Sequence, residues 1–401
     1  MLLWDSLKGL PKNIWLICIV ALINRTGTMV FPFLALYLTQ EIGVEPGKAG
    51  LVLTFYGIGA LVSAPFAGKL SDKIGALNLI KLSLLSSGVL FFIYSFFNSY
   101  IIISIITVIL AVVSEAFRPA GMAFISTEAS IEQRKPAYAL YRLAINLGMS
   151  IGPVVGGLLS AINFNLLFYV DGITSIAAGI FLLFAKWNLK SNSITEEKNQ
   201  ESFSDYKRKI VWKDYRFIYF LIACLPVVMV FFQHFSSMPL FVVDFLGFSR
   251  STFGLLFAVN TVTIIFVEVP LNAKMAHWDD RKALAFGSLL CAIGFGGMVF
   301  ATEIIGLVIT IIIWTFGEMI FFPAAASLAA EISPKPQRGE YMGYFQMMFS
   351  LAFSLAPWAG TKLFELYGSD VLWTATFIMG TISAVLFPTL KKHSSNKLKN
   401  Q

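Results

Sequence analysis

The chain has 401 residues, of which 57% are hydrophobic and only 13% are charged. Soluble domains carry about a quarter charged residues, so the composition excludes a soluble globular protein and indicates one embedded in a lipid bilayer. The net charge of +7 lies mostly in the polar segments that flank long apolar runs. We therefore do not expect nucleic acid as a partner.

Apolar runs of about twenty residues recur along the chain, and a helix of that length crosses a bilayer. Six runs precede a linker rich in Lys, Glu, Ser and Asn, and six follow it. The sequence therefore predicts an all-α integral membrane protein with twelve transmembrane helices. The predicted spans are 14–38, 48–68, 78–97, 100–127, 136–161, 164–187, 215–245, 249–275, 281–300, 303–330, 338–364 and 369–390.

The two sets of spans predict an N-terminal six-helix bundle over 1–187 and a C-terminal bundle with a basic tail over 214–401. The segment 188–213 is predicted to be a cytoplasmic linker. Cationic residues concentrate on the cytoplasmic side of a membrane, and most of the 30 Lys and Arg fall on one side of this topology. We expect a multi-pass protein of the plasma (cytoplasmic, inner) membrane with both termini in the cytoplasm. On the opposite side lie Lys48, Arg250 and Lys362.

The two halves also repeat one another. A shift of 204 residues puts Pro119 on Pro323 and Pro153 on Pro357. Such residues fix or break helices, so a common register indicates an internal duplication.

A polar stretch between the second and third spans reads Gly68-Lys69-Leu70-Ser71-Asp72-Lys73-Ile74-Gly75 and is predicted to be a turn. The pattern Gly-x-Leu-x-Asp-basic-x-Gly resembles the loop between helices 2 and 3 of the major facilitator superfamily. The resemblance implies a conformational latch, in which the carboxylate lies against the N-terminus of the eleventh helix, beginning near Arg338. The residues assigned to this latch are Gly68, Asp72, Lys73, Gly75 and Arg134.

This resemblance implies a major facilitator fold of two pseudo-symmetric six-helix bundles. It further implies a substrate site between the halves and transport by rocking of one half against the other. By the same resemblance we expect a monomer.

In the first span, Gly27 to Pro32 resembles the Gly-x4-Pro pattern in helix 1 of the twelve-helix drug:proton antiporters. Proline removes a backbone hydrogen bond, so Gly27 and Pro32 predict a kink. The kink either serves a gate or is tolerated without a function.

The fifth span carries a pattern of small residues that resembles the glycine-proline motif of antiporters. Small residues at this spacing let another helix approach closely. The motif favours export, although close packing alone would also explain it. Its residues are Gly148, Gly152, Pro153, Gly156 and Gly157.

Charged residues inside a membrane are costly and are functional candidates. We predict that Glu115 and Glu318 couple protons or face the substrate, with Arg25 and Arg118 modulating them. Glu115 and Arg118 are three residues apart and could instead form a fixed pair. His234 is a further candidate for the cavity or a packed core residue. Weaker candidates, nearer to the ends of spans, are Asp171, Arg142 and Glu268.

These features predict a secondary transporter that exports a small amphipathic molecule or drug in exchange for protons. One alternative is a proton symporter that imports a metabolite or peptide, and another is a non-transporting sensor of the same fold. The sequence contains neither a nucleotide-binding loop nor a hydrolase motif, so we expect no enzyme. We expect no metal and no cofactor, with the proton gradient as the driving force.

Overall fold

The structure is a computed structural model that describes residues 9–185, 187, 210–275, 278–334 and 337–390. Within these ranges it describes the backbone but not the side chain of Ala64, Pro65, Gly68, Lys69, Asp72, Ile131, Glu132, Arg134, Lys135, Pro136, Ala139, Val269, Ala273, Arg338 and Gly339.

All regular elements in the described part of the chain are helical. The helices before the linker are α1 Lys12–Thr26, α2 Val30–Gln40, α3 Pro46–Ile74, α4 Ala76–Tyr94, α5 Tyr100–Ser114, α6 Phe117–Glu128, α7 Ile131–Ile162 and α8 Asn165–Phe184. The α-helices after it are α9 Tyr215–Phe231, α10 Gln233–Pro239, α11 Arg250–Met275, α12 Asp280–Gly296, α13 Ile304–Ile332 and α14 Arg338–Thr389. Short 3-10 turns lie at Val211–Lys213 and Gly297–Phe300, and a π-helix at Leu240–Phe245.

The helices account for the twelve predicted spans. In the described residues, ten segments are long and apolar enough to cross a membrane. Helix α3, with 29 residues, is a further long helix. Helix α14 is interrupted at Gly368, whose φ of 82° is left-handed, and so supplies two spans. The predicted all-α membrane architecture is confirmed.

The prediction of a turn over Gly68 to Gly75 is wrong in its extent. Helix α3 continues to Ile74, and only Gly75 leaves the helical conformation, with a φ of 87°. Polar residues are compatible with the last turn of a helix, and Lys73 in that turn faces the negative end of the helix dipole. The chain reverses at a single glycine because only glycine adopts this φ without strain.

The chain divides into two compact units. The first consists of Met1–Thr195, His234–Ile265 and Pro357–Leu366. The second consists of Glu196–Gln233, Phe266–Ala356 and Tyr367–Gln401. The first unit thus includes stretches of the chain that follow the linker, and the candidate site described below lies within it.

The glycines of α7 allow the first span to pack closely against it. At Gly148, Gly152 and Gly156 an added Cβ would meet α1, α2 or the residues between these helices. The nearest atoms would be Arg25 Cβ at 2.6 Å for Gly148, the Thr28 carbonyl oxygen at 2.9 Å for Gly152 and Met29 Cβ at 3.1 Å for Gly156.

The end of the same glycine series packs against α11. A Cβ on Gly157 would lie 3.1 Å from the Cα of Gly254, and one on Gly254 would lie 2.5 Å from the Pro153 carbonyl oxygen. The two backbones are therefore in contact. The predicted close packing is present, whereas the link between this motif and antiport stays a prediction.

We expect Gly152→Ala to lower the unfolding temperature and Gly343→Ala to leave it unchanged or raise it. The first substitution overpacks a backbone contact, at a typical cost of about 1–3 kcal/mol. The second lies on α14, where no atom is within 4 Å of the Cβ position, and alanine favours a helix over glycine by up to about 1 kcal/mol. Thermal unfolding of the detergent-purified variants measures both effects. Equal changes of the unfolding temperature in the two variants would show that the backbone contact at Gly152 leaves room for a Cβ.

Candidate functional site

The first span is broken near its middle. Helix α1 ends at Thr26 and α2 begins at Val30, with Pro32 in its first turn. Proline is tolerated in the first turn of a helix, where its missing N–H has no helical acceptor. The break therefore lies just ahead of Pro32. The N–H groups at the start of α2 need other acceptors, because the hydrocarbon core offers no water.

Asp171 on α8 supplies those acceptors. The amide of Met29 donates to both carboxylate oxygens at 3.0 and 3.1 Å, and the amide of Val30 donates to Oδ2 at 2.9 Å. Asp171 is 1% exposed. A carboxylate at the positive end of a helix, bonded to its first N–H groups, is strongly stabilised. Asp171 therefore caps the second half of the broken span.

The same part of α8 requires a glycine in the break. An added Cβ on Gly27 would lie 1.9 Å from Thr174 Oγ1, so no side chain fits there. From the sequence alone Asp171 is a weak candidate, because it lies six residues from the start of its helix. Nothing in the sequence pairs an acid on the sixth span with a break in the first.

A cavity of about 60 Å³ lies inside the first unit, beside the break. One water molecule needs roughly 15 Å³ on this measure, so the space admits more than one. Its wall combines polar side chains with aliphatic and aromatic ones. Polar side chains that line it include Asn24, Arg25, Tyr56, Ser87, Thr107 and Asp171.

Glu115 reaches this cavity through Tyr56. The Tyr56 hydroxyl donates to Glu115 Oε1 at 2.9 Å, and it lies 3.2 Å from Ser114 Oγ. The Tyr56 ring is centred 5.0 Å from the ring of Phe31 on α2. Tyr56 and Phe31 were missed from the sequence, since an aromatic residue in an apolar span carries no distinguishing signal.

The fixed pair of Glu115 and Arg118, offered as an alternative to a role in coupling, is not present. The fourth span is interrupted at Glu115 and Ala116, because Pro119 has no N–H to bond the Glu115 carbonyl. Arg118 is exposed and makes no ion pair with the described residues. A spacing of three residues brings two side chains together only on one continuous helix, and residues 115 and 118 are not on one.

Arg25 is a partly buried cation that lines the cavity and forms no ion pair with the described residues. Its Nε is fully buried and lacks a hydrogen bond, and none of the ion pairs among the described residues includes it. Its guanidinium carbon lies 5.8 Å from the centre of the Phe117 ring. A cation–π contact contributes about 0.5–2 kcal/mol, whereas an arginine at mid-membrane costs at least about 2.5 kcal/mol. The contact with Phe117 therefore does not compensate the charge.

Aromatic rings continue from Phe31 into the part of the first unit that follows the linker. Phe31 is centred 5.2 Å from Phe235, which is 5.8 Å from Phe257. His234 is 5% exposed, and its ring centre lies 3.8 Å from that of Phe235. The structure thus places His234 among packed rings, beside the residues that contact Phe31.

Glu318 belongs to the second unit. It lies on α13, next to Gly317, where an added Cβ would meet the Cys291 sulfur at 2.6 Å. The two predicted coupling acids therefore occupy different units, and Glu115 is bonded to Tyr56, which lines the cavity.

The predicted latch falls partly outside the described residues. The side chains of Gly68, Asp72 and Arg134 are not described, so their contacts stay a prediction. Lys73 is exposed. Near this end of the bundle, Glu128 is buried and accepts a hydrogen bond of 2.7 Å from Asn13 Nδ2.

Polar contacts join helices at the opposite end of the first unit. Glu365 on α14 accepts a hydrogen bond of 2.6 Å from the Gly47 amide, at the start of α3, and pairs with Lys362. Arg250 donates through Nε to Gln40 Oε1 at 2.9 Å, and the Gln40 amide donates to Asp244. These bonds connect stretches from both sides of the linker.

In the part of the chain that the structure describes, no group of three or more His, Cys, Asp or Glu side chains could hold a metal ion. The cysteines Cys18, Cys224 and Cys291 are buried and unpaired with one another.

Comparison with known proteins gives a family match and distant relatives. A model described as the Major Facilitator Superfamily matches residues 15–266 and 244–400. The Na(+), Li(+), K(+)/H(+) antiporter of Planococcus maritimus is 23% identical over 363 residues, which cover 83% of this chain and 85% of that protein. Multidrug resistance protein 2 of Bacillus subtilis (strain 168) is 25% identical over 340 residues, which cover 82% and 83% of the two chains.

A crystal structure of the nucleoside transporter NupG matches with a TM-score of 0.78 at 13% identity. The match covers 94% of this chain and 100% of that one. At this identity the likeness concerns the fold alone.

We expect Asp171→Ala to lower the unfolding temperature more than Asp171→Asn. Alanine leaves the Val30 amide without an acceptor and the Met29 amide with only its 3.0 Å bond to the Gly27 carbonyl oxygen. Hydrogen bonds to charged groups contribute about 1.5–3 kcal/mol each. Asparagine keeps one carbonyl acceptor. Glu303→Gln, at an exposed acid before α13, is the control. Unfolding temperatures of Asp171→Ala equal to those of the control would contradict the assigned cap.

Proposed function

The chain belongs to the major facilitator superfamily, whose members are membrane transporters and not enzymes, and we propose that it exports a small amphipathic molecule in exchange for protons. The predicted major facilitator fold, with two pseudo-symmetric six-helix bundles, is confirmed by the family match and the NupG likeness. The protein is thus a multi-pass membrane protein with a small-molecule substrate. The identity of the substrate, the coupling to protons and the direction of transport are what we propose.

Two features support export by exchange. One relative is an ion/proton antiporter and another a multidrug resistance protein by name. The glycine stripe of α7 also packs against the break in the first span and against α11. A smooth helix face of this kind can slide against its neighbours without unpacking side chains.

The observation that carries the proton step is the hydrogen bond from Tyr56 to Glu115. While Glu115 is ionised, this bond is charge-assisted and holds the Tyr56 ring against Phe31. Protonation of Glu115 removes the charge and weakens the bond. The Tyr56 ring is then free to move, and Phe31 at the start of α2 loses its support.

Movement of Phe31 would affect contacts at the opposite end of the first unit. Phe31 contacts Phe235, and Gln40, at the other end of α2, accepts the bond from Arg250. The Gly47 amide, which donates to Glu365, lies at the start of α3, the helix that carries Tyr56. From the distribution of Lys and Arg, we assign this end to the outer side of the membrane. In the proposal these contacts close the exit, and protonation of Glu115 favours their opening.

We expect Glu115→Gln to abolish compound-driven proton flux in proteoliposomes and to retain exchange of labelled for unlabelled compound. Glutamine cannot carry the proton but can still accept the Tyr56 bond. The assay uses a pH-sensitive dye inside the vesicles and a compound found by screening cations, drugs and metabolites. Glu303→Gln is the control and should behave like the parent protein. Unchanged pH dependence in Glu115→Gln would remove Glu115 from the coupling step.

We expect Tyr56→Phe to slow proton-coupled exchange about tenfold, which corresponds to about 1.4 kcal/mol and to loss of one hydrogen bond to a charged group. The ring contact with Phe31 is kept. Because both residues act through the same bond, Tyr56→Phe should add nothing to Glu115→Gln. Additive losses in a double-mutant cycle of the exchange rates would mean that the two residues act separately.

A further inference from the structure

We propose that the exported molecule carries a carboxylate, and that Arg25 binds this carboxylate in the cavity of the first unit. The inference rests on the proposed function, because it takes the cavity as a place where the substrate binds. It goes beyond that function by naming the chemical class of the substrate.

Arg25 forms no ion pair with the described residues. Arg25 lines the cavity, its Nε is buried without a hydrogen bond, and no described acid pairs with it. A cation inside a membrane protein normally pairs with an acid or with backbone carbonyls. The partner of Arg25 is therefore expected to come from outside the chain.

The two acids at the cavity do not supply this partner. Asp171 accepts from the amides of Met29 and Val30, and Glu115 accepts from Tyr56. Moving either acid to Arg25 would break the helix cap or the tyrosine bond. Each acid is therefore already held by its own hydrogen-bond donors.

The cavity suits a singly charged anion with an apolar body. A carboxylate carries one negative charge, which matches one guanidinium, whereas a phosphate dianion would leave an excess charge. The Thr28 hydroxyl on the wall can donate a further bond to its oxygens, and the rings of Phe31, Phe91 and Phe117 line the remainder. A lipophilic cation would be repelled by Arg25.

The cavity of about 60 Å³ admits the carboxylate group rather than an entire drug. The apolar body of the substrate would therefore extend past Phe31, which contacts Phe235. Movement of Phe31 in the transport cycle would change the space open to the substrate.

The test measures binding at equilibrium, without a proton gradient. Purified protein in detergent is titrated with 2-naphthoate, with the neutral 2-naphthamide and with tetraphenylphosphonium, and the unfolding temperature is followed. We expect 2-naphthoate to raise the unfolding temperature, and the other two compounds to leave it unchanged. The Kd for 2-naphthoate should rise at least tenfold in Arg25→Gln and less in Arg25→Lys.

Arg216→Gln is the matched control, since Arg216 already pairs with Glu331 at 3.7 Å. It should bind 2-naphthoate like the parent protein. Equal effects of the naphthoate and the amide, no effect of the naphthoate, or unchanged binding in Arg25→Gln would each overturn the inference.

A second readout separates ligand binding from a structural role. Without ligand, Arg25→Gln should unfold at the same temperature as the parent or higher, because it removes an unpaired charge. A lower unfolding temperature would mean that Arg25 supports the fold, and would overturn the inference. Carboxylate binding that depends on Arg25, without proton-coupled transport, would instead refute the proposed function and leave only the carboxylate site at Arg25.

Discussion

The candidate site depends on one constraint, namely that backbone N–H groups inside a membrane must be bonded within the protein. The first span breaks ahead of Pro32, and the Asp171 carboxylate accepts the amides of Met29 and Val30 that the break exposes. A charge buried in this way is tolerated because it is bonded at a helix N-terminus. The break and its cap form one part of the cavity wall, which Arg25 and Tyr56 also line.

The break also explains why the glycines of α7 and the polar cavity occur together. A span in two pieces can tilt one piece while the other stays fixed, provided that its neighbours offer a smooth surface. The α7 glycines offer such a surface to residues on both sides of the break. Glu115 lies close enough to bond Tyr56, whose ring touches Phe31 in the second piece. The acid and the movable piece are thus connected by two contacts.

The sequence predicted the twelve spans, because apolar length is a property of each segment alone. It also located the break through Gly27 and Pro32. It did not identify Asp171 as the cap or Tyr56 as the partner of Glu115, since both contacts join spans that are distant in sequence. The alternative of a fixed pair between Glu115 and Arg118 is wrong, because Pro119 interrupts the helix on which their spacing was counted. Local sequence patterns thus predicted the helices, whereas the roles of Asp171 and Tyr56 depend on contacts between helices that such patterns do not contain.

The most direct test of the account is the direction of proton movement during release of the transported compound. Vesicles with the purified protein are loaded with compound and a pH-sensitive dye, then diluted into compound-free buffer at equal pH. Vesicles with Glu115→Gln protein correct for passive leakage. Exchange predicts that the lumen becomes more acidic as the compound leaves, because protons enter. A lumen that becomes more alkaline would mean that protons and compound move together, and would contradict export by antiport.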